Sequence, residues 1–275
     1  MLSPLEIQIL RKIESAGTPL KDWDVSIYRG ILTGFNDAFI IDEETQKRLT
    51  ENSPESAEII RPILRGRDVK KYRATNPNLW IIFTRRGIDL EKYPAIEKHL
   101  SQYRTELTPK LSGDKIGRKP GTYKWHEIQD NVAYYKDFDK EKVVWIELTD
   151  QPKFALDTEG YYLNNTIFFM TGDYLRYLIG FLNSSLCEWY FDKLAATSGA
   201  GTRRWIKMYI DQIRVPQVSE AVQAPIVVLV DEASQPDTTE QRRSEIKPLL
   251  DKEVFRLFGL SQEEMAFIEA NHSVD

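Results

Sequence analysis

Apolar residues recur along this chain with two different periods, and the switches between them outline its elements. At the N-terminus the pattern over residues 3–16 has helical spacing. Ser3 stands at the cap, Pro4 at the first helical position and Glu6 three residues on, while Gly17 and Pro19 end the run. Residues 23–41 read as strand, tight turn, strand: Val25 and Ile27 on one side, residues 38–41 on the other, around a segment whose Gly30, Gly34 and Asn36 tolerate positive φ. Two short helices are predicted over 43–51 and 54–61, the second started by Pro54. A buried strand follows over 79–84, and then a helix over 94–103.

Residues 104–122 carry glycine, proline and basic side chains without periodicity, which predicts a long basic loop; such loops in compact domains are usually either functional or disordered. Strands are expected at 132–135, 142–148, 153–156 and 166–170, where β-branched and aromatic residues concentrate. From 174 to 191, after a capping Asp173, Leu175, Leu178, Ile179, Leu182, Leu186 and Trp189 fall on one helical stripe. Pro216 marks a boundary. Beyond it helices are predicted over 224–233 and 239–258, bent or restarted at Pro248, with a last one opened by the Ser261–Glu264 capping box. Strands cluster without regular βαβ alternation, so the expected class is α+β: a curved mixed or antiparallel sheet carrying long basic loops, followed by a helical C-terminal part. Trp80, Trp145 and Trp189 are candidate core residues. No internal repeat is visible.

Composition narrows the function. The 275 residues are 41% hydrophobic, enough for a packed core. The longest apolar run, 224–230, is far too short to span a bilayer, and the charged N-terminus does not resemble a signal peptide, so a soluble cytoplasmic protein is expected. A single cysteine, Cys187, excludes an internal disulfide and cysteine-rich zinc sites; it reads as an inert core thiol. His99, His126 and His272 are scattered, which leaves little material for a histidine metal cluster.

The net charge of −5 hides an asymmetry. Residues 217–275 hold five basic and twelve acidic side chains, whereas 1–216 hold 32 basic and 30 acidic. Within the latter the basic residues form runs at 61–73, 110–125 and 198–207, the last two interleaved with glycine and aromatics. Such runs attract polyanions whatever the global sum, although a charge run by itself is often only a solvated face.

Enzymatic signatures are weak. Asn76-Pro77-Asn78-Leu79 approaches the Asn-Pro-Pro-aromatic loop of DNA amino-methyltransferases but lacks its second proline. Glu147, Asp150 and Lys153 follow a strand at the wrong spacing for a metal-dependent nuclease. Gly199-Ala200-Gly201 follows a helix, where a dinucleotide loop must follow a strand. His126, beside Trp125, could touch a base or simply occupy a polar loop.

Five segments in order resemble one family. Gly30, Thr33, Gly34, Asn36, Ala38 and Phe39 match a G-x-x-T-G-x-N-x-A-F element. Residues 63–72 match a G-R-D-aromatic stretch at Gly66, Arg67, Asp68 and Tyr72. Gly180, Leu182, Asn183 and Ser184 fit a G-x-L-N-S helix, and 209–216 resemble a closing I-x-x-I-P segment. Residues 258–264 are similar to Y-G-L-T-E-E-E, with Phe258 in place of tyrosine. The chain therefore resembles the TaqI-like C-terminal specificity domain of type IIG restriction-modification enzymes and adenine-specific DNA methyltransferases.

The resemblance implies a target-recognition domain over 1–216 with a helical segment over 217–275. It implies a double-stranded DNA partner, and a methyltransferase/endonuclease domain, in the same protein or complex, that carries out adenine methylation and cleavage. This chain would itself be non-catalytic and hold no cofactor, S-adenosylmethionine and Mg²⁺ belonging to the partner domains. Because base-reading residues differ among such readers, they are chosen here from charge and loop context: Lys110, Lys115, Arg118, Lys119, Tyr123 and Lys124 on the long loop, then Arg203, Arg204 and Lys207 beside the glycine turn. The run at 61–73 is expected to contribute only partly, and the Gly30–Phe39 element to be structural. Two other classes stay open: a nuclease using Glu147 and Asp150 as metal ligands, and a protein-interaction module whose basic loops bind an acidic partner.

Overall fold

Strand Ile167–Gly172 is apolar at successive positions because both of its faces are covered. Phe168 and Met170 pack with the helical part of the molecule, whereas Ile167 and Phe169 pack with a second sheet. Its neighbour Lys142–Ile146 alternates in the same way: Val143 and Trp145 face the helices, Val144 the second sheet. These strands are the centre of a four-stranded antiparallel sheet ordered Phe154–Asp157, Lys142–Ile146, Ile167–Gly172, Val25–Arg29, with Phe168 opposite Trp145 and Met170 opposite Ile27. The computed structural model describes residues 2–195 and 202–271. Among them the sheet is the middle of three layers, in an α+β arrangement.

The second layer is a smaller mixed sheet ordered Tyr162–Leu163, Ile60–Leu64, Leu79–Ile82, Ile40–Asp42, its first pair parallel. The two strands expected within 23–41 are therefore not partners. Val25–Arg29 joins the central sheet and Ile40–Asp42 the smaller one, so the turn between them is a crossover between layers. Gly34 in that crossover has φ +83°, and a Cβ there would lie 2.7 Å from the Arg118 side chain; left-handed backbone and close approach together call for glycine.

The expected helix over 54–61 is instead a 3₁₀ turn, Pro54–Glu58, leading into strand Ile60–Leu64, where Ile60, Ile63 and Leu64 are buried. No strand forms at 132–135. The Tyr134 ring stacks on Tyr28 at 4.6 Å and its hydroxyl donates to the Arg29 carbonyl at 2.7 Å, and a 3₁₀ turn, Tyr135–Asp139, follows. That turn is tied to the sheet by Lys142, whose fully buried Nζ donates to the Phe138 carbonyl and pairs with fully buried Asp157 at 2.6 Å.

Helices form the third layer. The stripe at 174–191 is apolar as expected but is two helices, Leu175–Leu182 and Ser185–Leu194. The break falls at Ser184, whose backbone is extended; Asn183 just before it still donates its N–H to Ile179, while its side chain accepts from the Phe154 N–H at 3.0 Å and donates to the Phe154 carbonyl at 2.8 Å, completing the edge strand. Ser184 then caps the second helix through the Cys187 N–H. The first helix is entered through Tyr174 in a left-handed conformation, not through a cap by Asp173.

Both expected capping boxes, Ser3 with Glu6 and Ser261 with Glu264, are present. Helices Glu220–Ser234 and Glu240–Leu257 run through Pro225 and Pro248 without interruption. Ile226, Val230, Ile246, Leu250 and Val254 share one core with Trp145 and Phe154 of the central sheet. Lys12, at 2.6 Å from Glu264, links the first helix to the last.

Candidate nucleic-acid interface

The basic loop expected over 104–122 begins with a helical turn, Arg104–Leu107, and is then closed on itself by the parallel pairing of Pro109 with Arg118. Arg118 organises it from inside. Its Nε donates to the Leu107 carbonyl at 2.8 Å, Nη1 to Thr33 and Glu127 at 2.8 Å each, and Nη2 to Trp125 at 2.9 Å and Lys124 at 3.3 Å. Five carbonyls thus occupy the five donors of a guanidinium. The group is only 3% exposed, and burial pushes its pKa down to about 10. It also lies 4.4 Å from the centre of the Tyr123 ring, itself buried, whose hydroxyl donates to the Lys119 carbonyl.

Arg118 and Tyr123 are thereby corrected from candidate DNA contacts to the internal staple of the loop. Lys115, Lys119 and Lys124 remain exposed, and Lys110 is half-buried. Arg104 stacks over Trp125 at 3.9 Å.

The second candidate group divides in the same manner. Strand Arg203–Arg204 pairs antiparallel with Leu148–Thr149, so its side chains alternate. Arg203 turns inward to Asp192 at 2.5 Å and Glu188 at 3.0 Å, and its Nη1 donates to the Asp150 carbonyl; it too is a structural residue, not a surface contact. Arg204 turns outward to Glu147 at 2.7 Å, its side chain more than half exposed. Lys207 is exposed and pairs with Asp211 one helical turn on, at 2.8 Å.

Glu147 is also reached from the far side by Arg29, whose Nη2 lies 2.6 Å from the other carboxylate oxygen and whose Nε donates to the Asn165 carbonyl at 2.8 Å. Glu147 sits in the wall of an open pocket of about 990 Å³ that is also lined by Arg65, Gly66, Arg67, Lys153 and Thr166. Arg65 is held by Asp68 at 3.2 Å and Lys153 by Asp150 at 3.4 Å.

The structure therefore brings together three basic contributions remote in sequence: Arg29, the 61–73 run, and Arg204. Sequence reasoning missed Arg29, which precedes the glycine-rich element, and underweighted Arg65 and Arg67. The one available signal was that the G-R-D motif and the 27–41 element both carry arginine beside glycine.

The enzymatic candidates fare differently. Both oxygens of Glu147 bind arginines, and Asp150 bonds Thr149 and Lys153. Among the described residues no group of three or more His, Cys, Asp and Glu side chains is placed to hold a metal ion. Asn76 caps a turn, exchanging hydrogen bonds with the Leu79 backbone. Cys187 is fully buried, and burial pushes its thiol pKa up. His126 is buried rather than open to a ligand, and burial lowers its pKa. Gly199, Ala200, Gly201 and His272 lie outside the described residues.

Comparison with known proteins adds to this geometry. The sequence profile of the TaqI-like C-terminal specificity domain matches residues 61–215. The type II methyltransferase M.MjaIV of Methanocaldococcus jannaschii is 20% identical over 210 residues, which span 73% of this chain and 68% of that protein. Two solved structures share the fold. One is the type IIL restriction-modification enzyme MmeI in complex with DNA, with a TM-score of 0.60 and 13% identity, covering 92% of this chain and 36% of that one. The other is the type IIG restriction endonuclease BpuSI, with a TM-score of 0.52 and 14% identity, covering 93% and 33%. The chain thus spans about a third of the length of either enzyme.

Proposed function

The chain belongs to the family of TaqI-like C-terminal specificity domains, and from that premise we propose that it reads the sequence of double-stranded DNA on behalf of a type IIG restriction-modification enzyme. Adenine methylation and cleavage fall, in this reading, to a methyltransferase/endonuclease domain in the same protein or complex. S-adenosylmethionine and Mg²⁺ go with that domain and no cofactor with this chain. Residues 1–216 carry the reading surface and 217–275 the helical buttress behind it. Its place is the cytoplasm, where its DNA is; among the described residues no helix is long and apolar enough to cross a membrane.

The observation that carries the proposal is the open pocket in which Arg65, Arg67 and Lys153 surround a Glu147 that holds Arg29 and Arg204. Arginine and lysine on such a surface neutralise phosphates, and arginine forks also reach base edges in the major groove. The basic loop stands close by. Arg29 is clamped to Glu147, and four residues on the Thr33 carbonyl accepts from Arg118. Four residues of chain reach at most about 14 Å, comparable with the roughly 12 Å width of a major groove. We take one duplex to meet both regions. In this reading exposed Lys115, Lys119, Lys124 and Lys207, with Lys110, bear on phosphates.

The test is titration of the chain with duplex DNA at increasing salt. The affinity is expected to fall linearly on a log–log plot with a slope of about −0.9 per neutralised phosphate. Arg67→Ala is expected to make that slope shallower by about one such unit. Binding that stays flat between low and high salt overturns the proposal.

A further inference from the structure

Glu147 is a puzzle on a surface meant only for phosphates. A carboxylate at the centre of a cationic pocket repels every phosphate that approaches. It does have a use where arginines must be aimed. Its side chain is 11% exposed and is fixed through its backbone on both sides: its N–H donates to Thr166 at 2.9 Å and its carbonyl accepts from Trp205 at 2.8 Å. One oxygen takes Arg29 and the other Arg204, so the carboxylate is a rigid bracket between two guanidinium groups.

The two arginines are not equivalent. Arg29 gives its Nε to Asn165 as well, and its guanidinium lies 5.6 Å from the centre of the Phe168 ring. Arg204 uses Nη2 on Glu147 and, among the described residues, none of its other donors in a hydrogen bond, with its side chain 58% exposed. Its backbone is anchored by pairing with Leu148 and its neighbour Arg203 is locked inside, so the side chain projects from a firm base. A held planar fork with two or more N–H groups to offer matches one base edge in the major groove: guanine, whose O6 and N7 are adjacent acceptors. Lys153, a point charge tied to Asp150, has no such fork.

Resting on the duplex-reading function above, we propose that Arg204 reads guanine in the target sequence, that Glu147 is the positioning residue that orients its fork, and that Arg29 is the second arm of the bracket.

Selection of bound duplexes from a randomised library, followed by affinity measurements on the selected duplex and on its single-base variants, tests this. For the unaltered chain one position of the selected sequence is an obligatory guanine, and its replacement by adenine weakens binding about tenfold or more. Arg204→Ala and Glu147→Gln each bring the guanine-to-adenine affinity ratio at that position to within about threefold of unity, whereas Arg204→Lys, whose ammonium can still donate to O6 and N7, lowers it only in part. Preserved guanine preference in Arg204→Ala, or a Glu147→Gln chain that loses affinity for all duplexes equally with the ratio intact, overturns the assignment. An unaltered chain that binds duplex DNA with salt dependence but selects no guanine overturns the assignment alone. A chain that binds no duplex overturns the DNA reading and this inference together.

Discussion

Arg203 and Arg204 are neighbours in the chain, yet their guanidinium groups lie on opposite sides of one short strand and bind different carboxylates. Arg203 faces Asp192 and Glu188 within the molecule, and Arg204 faces Glu147 at the pocket. Truncating the two residues should therefore have separate consequences. Arg203→Ala leaves Glu188, 3% exposed, without its cation, and breaking a buried pair in this way costs about 3–5 kcal/mol. Arg204→Ala exposes nothing comparable and should stay within about 1 kcal/mol of the parent. Denaturant unfolding of the two variants measures both, and equal losses would contradict the assignment of inside and outside.

The staple in the basic loop gives a second expectation. Arg118→Lys keeps a positive charge, but an ammonium has three donors where the guanidinium places five on carbonyls. At least two carbonyls then lose their arginine donor; those of Thr33 and Lys124 keep the Gln129 and Glu127 N–H groups, and any other left unpaired costs about 1–3 kcal/mol. The loss should be local. Limited proteolysis is expected to cut within residues 104–124 of the variant well before the parent, and amide exchange to quicken at Lys110, whose N–H bonds the Arg118 carbonyl. Unchanged protection across the loop would show that Arg118 does not hold it.

What was legible in the sequence was what neighbouring residues decide among themselves. Ser3 with Glu6 and Ser261 with Glu264 are i, i+3 pairs, and both form the boxes their spacing predicts. The α+β class was legible too, as were the family segments within the matched residues 61–215. The role of Asn183 was not, because the partner of its side chain is Phe154, 29 residues away. Nor was the failure of 132–135 to form a strand, because Tyr134 is claimed by Tyr28 and the Arg29 carbonyl.

The candidate site follows the same division. Basic runs are visible as composition, but which member of a run faces solvent depends on partners elsewhere. Arg118 and Arg203 look like their exposed neighbours until the carbonyls and carboxylates that bind them are seen. The Arg29–Glu147 contact joins positions 118 residues apart, and no local pattern announces it.

Two histidines make stability sensitive to mild acid. His99 is buried against Ala38, its Nε2 3.0 Å from that carbonyl, and burial holds its pKa below the ordinary 6.5, helped by nearby Arg48 and opposed by the Ala38 bond. Burial lowers the pKa of His126 as well, with Lys124 and Arg104 acting in the same direction against Glu127 and Glu97. As pH falls below about 6.5 the unfolded chain takes up protons that the folded chain resists, so stability declines until the folded pKa values are reached and then levels. The urea midpoint is expected to drop between pH 7 and pH 5, and a His99→Gln, His126→Gln double variant to flatten that drop. A double variant with the parent's full pH dependence would assign the effect to other groups.

The close contact between helices Leu175–Leu182 and Glu220–Ser234 depends on Gly180. A Cβ at this position would lie 2.3 Å from Cγ2 of Ile226 and 3.2 Å from Cγ2 of Val230. Both are methyl groups attached directly to a β-branched carbon in a helix, where one rotamer dominates, so neither can swing aside. In an isolated helix alanine would be favoured over glycine by about 1 kcal/mol. Here overpacking, typically about 1–3 kcal/mol, opposes that gain and has no flexible neighbour to absorb it. Gly180→Ala is therefore expected to be net destabilising, and the partner helix is the element that must move. A paired Ile226→Ala change, which removes the obstructing methyl, should cost less beside Gly180→Ala than in the parent background, where it removes buried apolar surface with no strain to relieve. Such a less-than-additive loss in a double-mutant cycle, read by thermal unfolding, is the signature of direct contact between the two residues; additive losses would place the strain elsewhere.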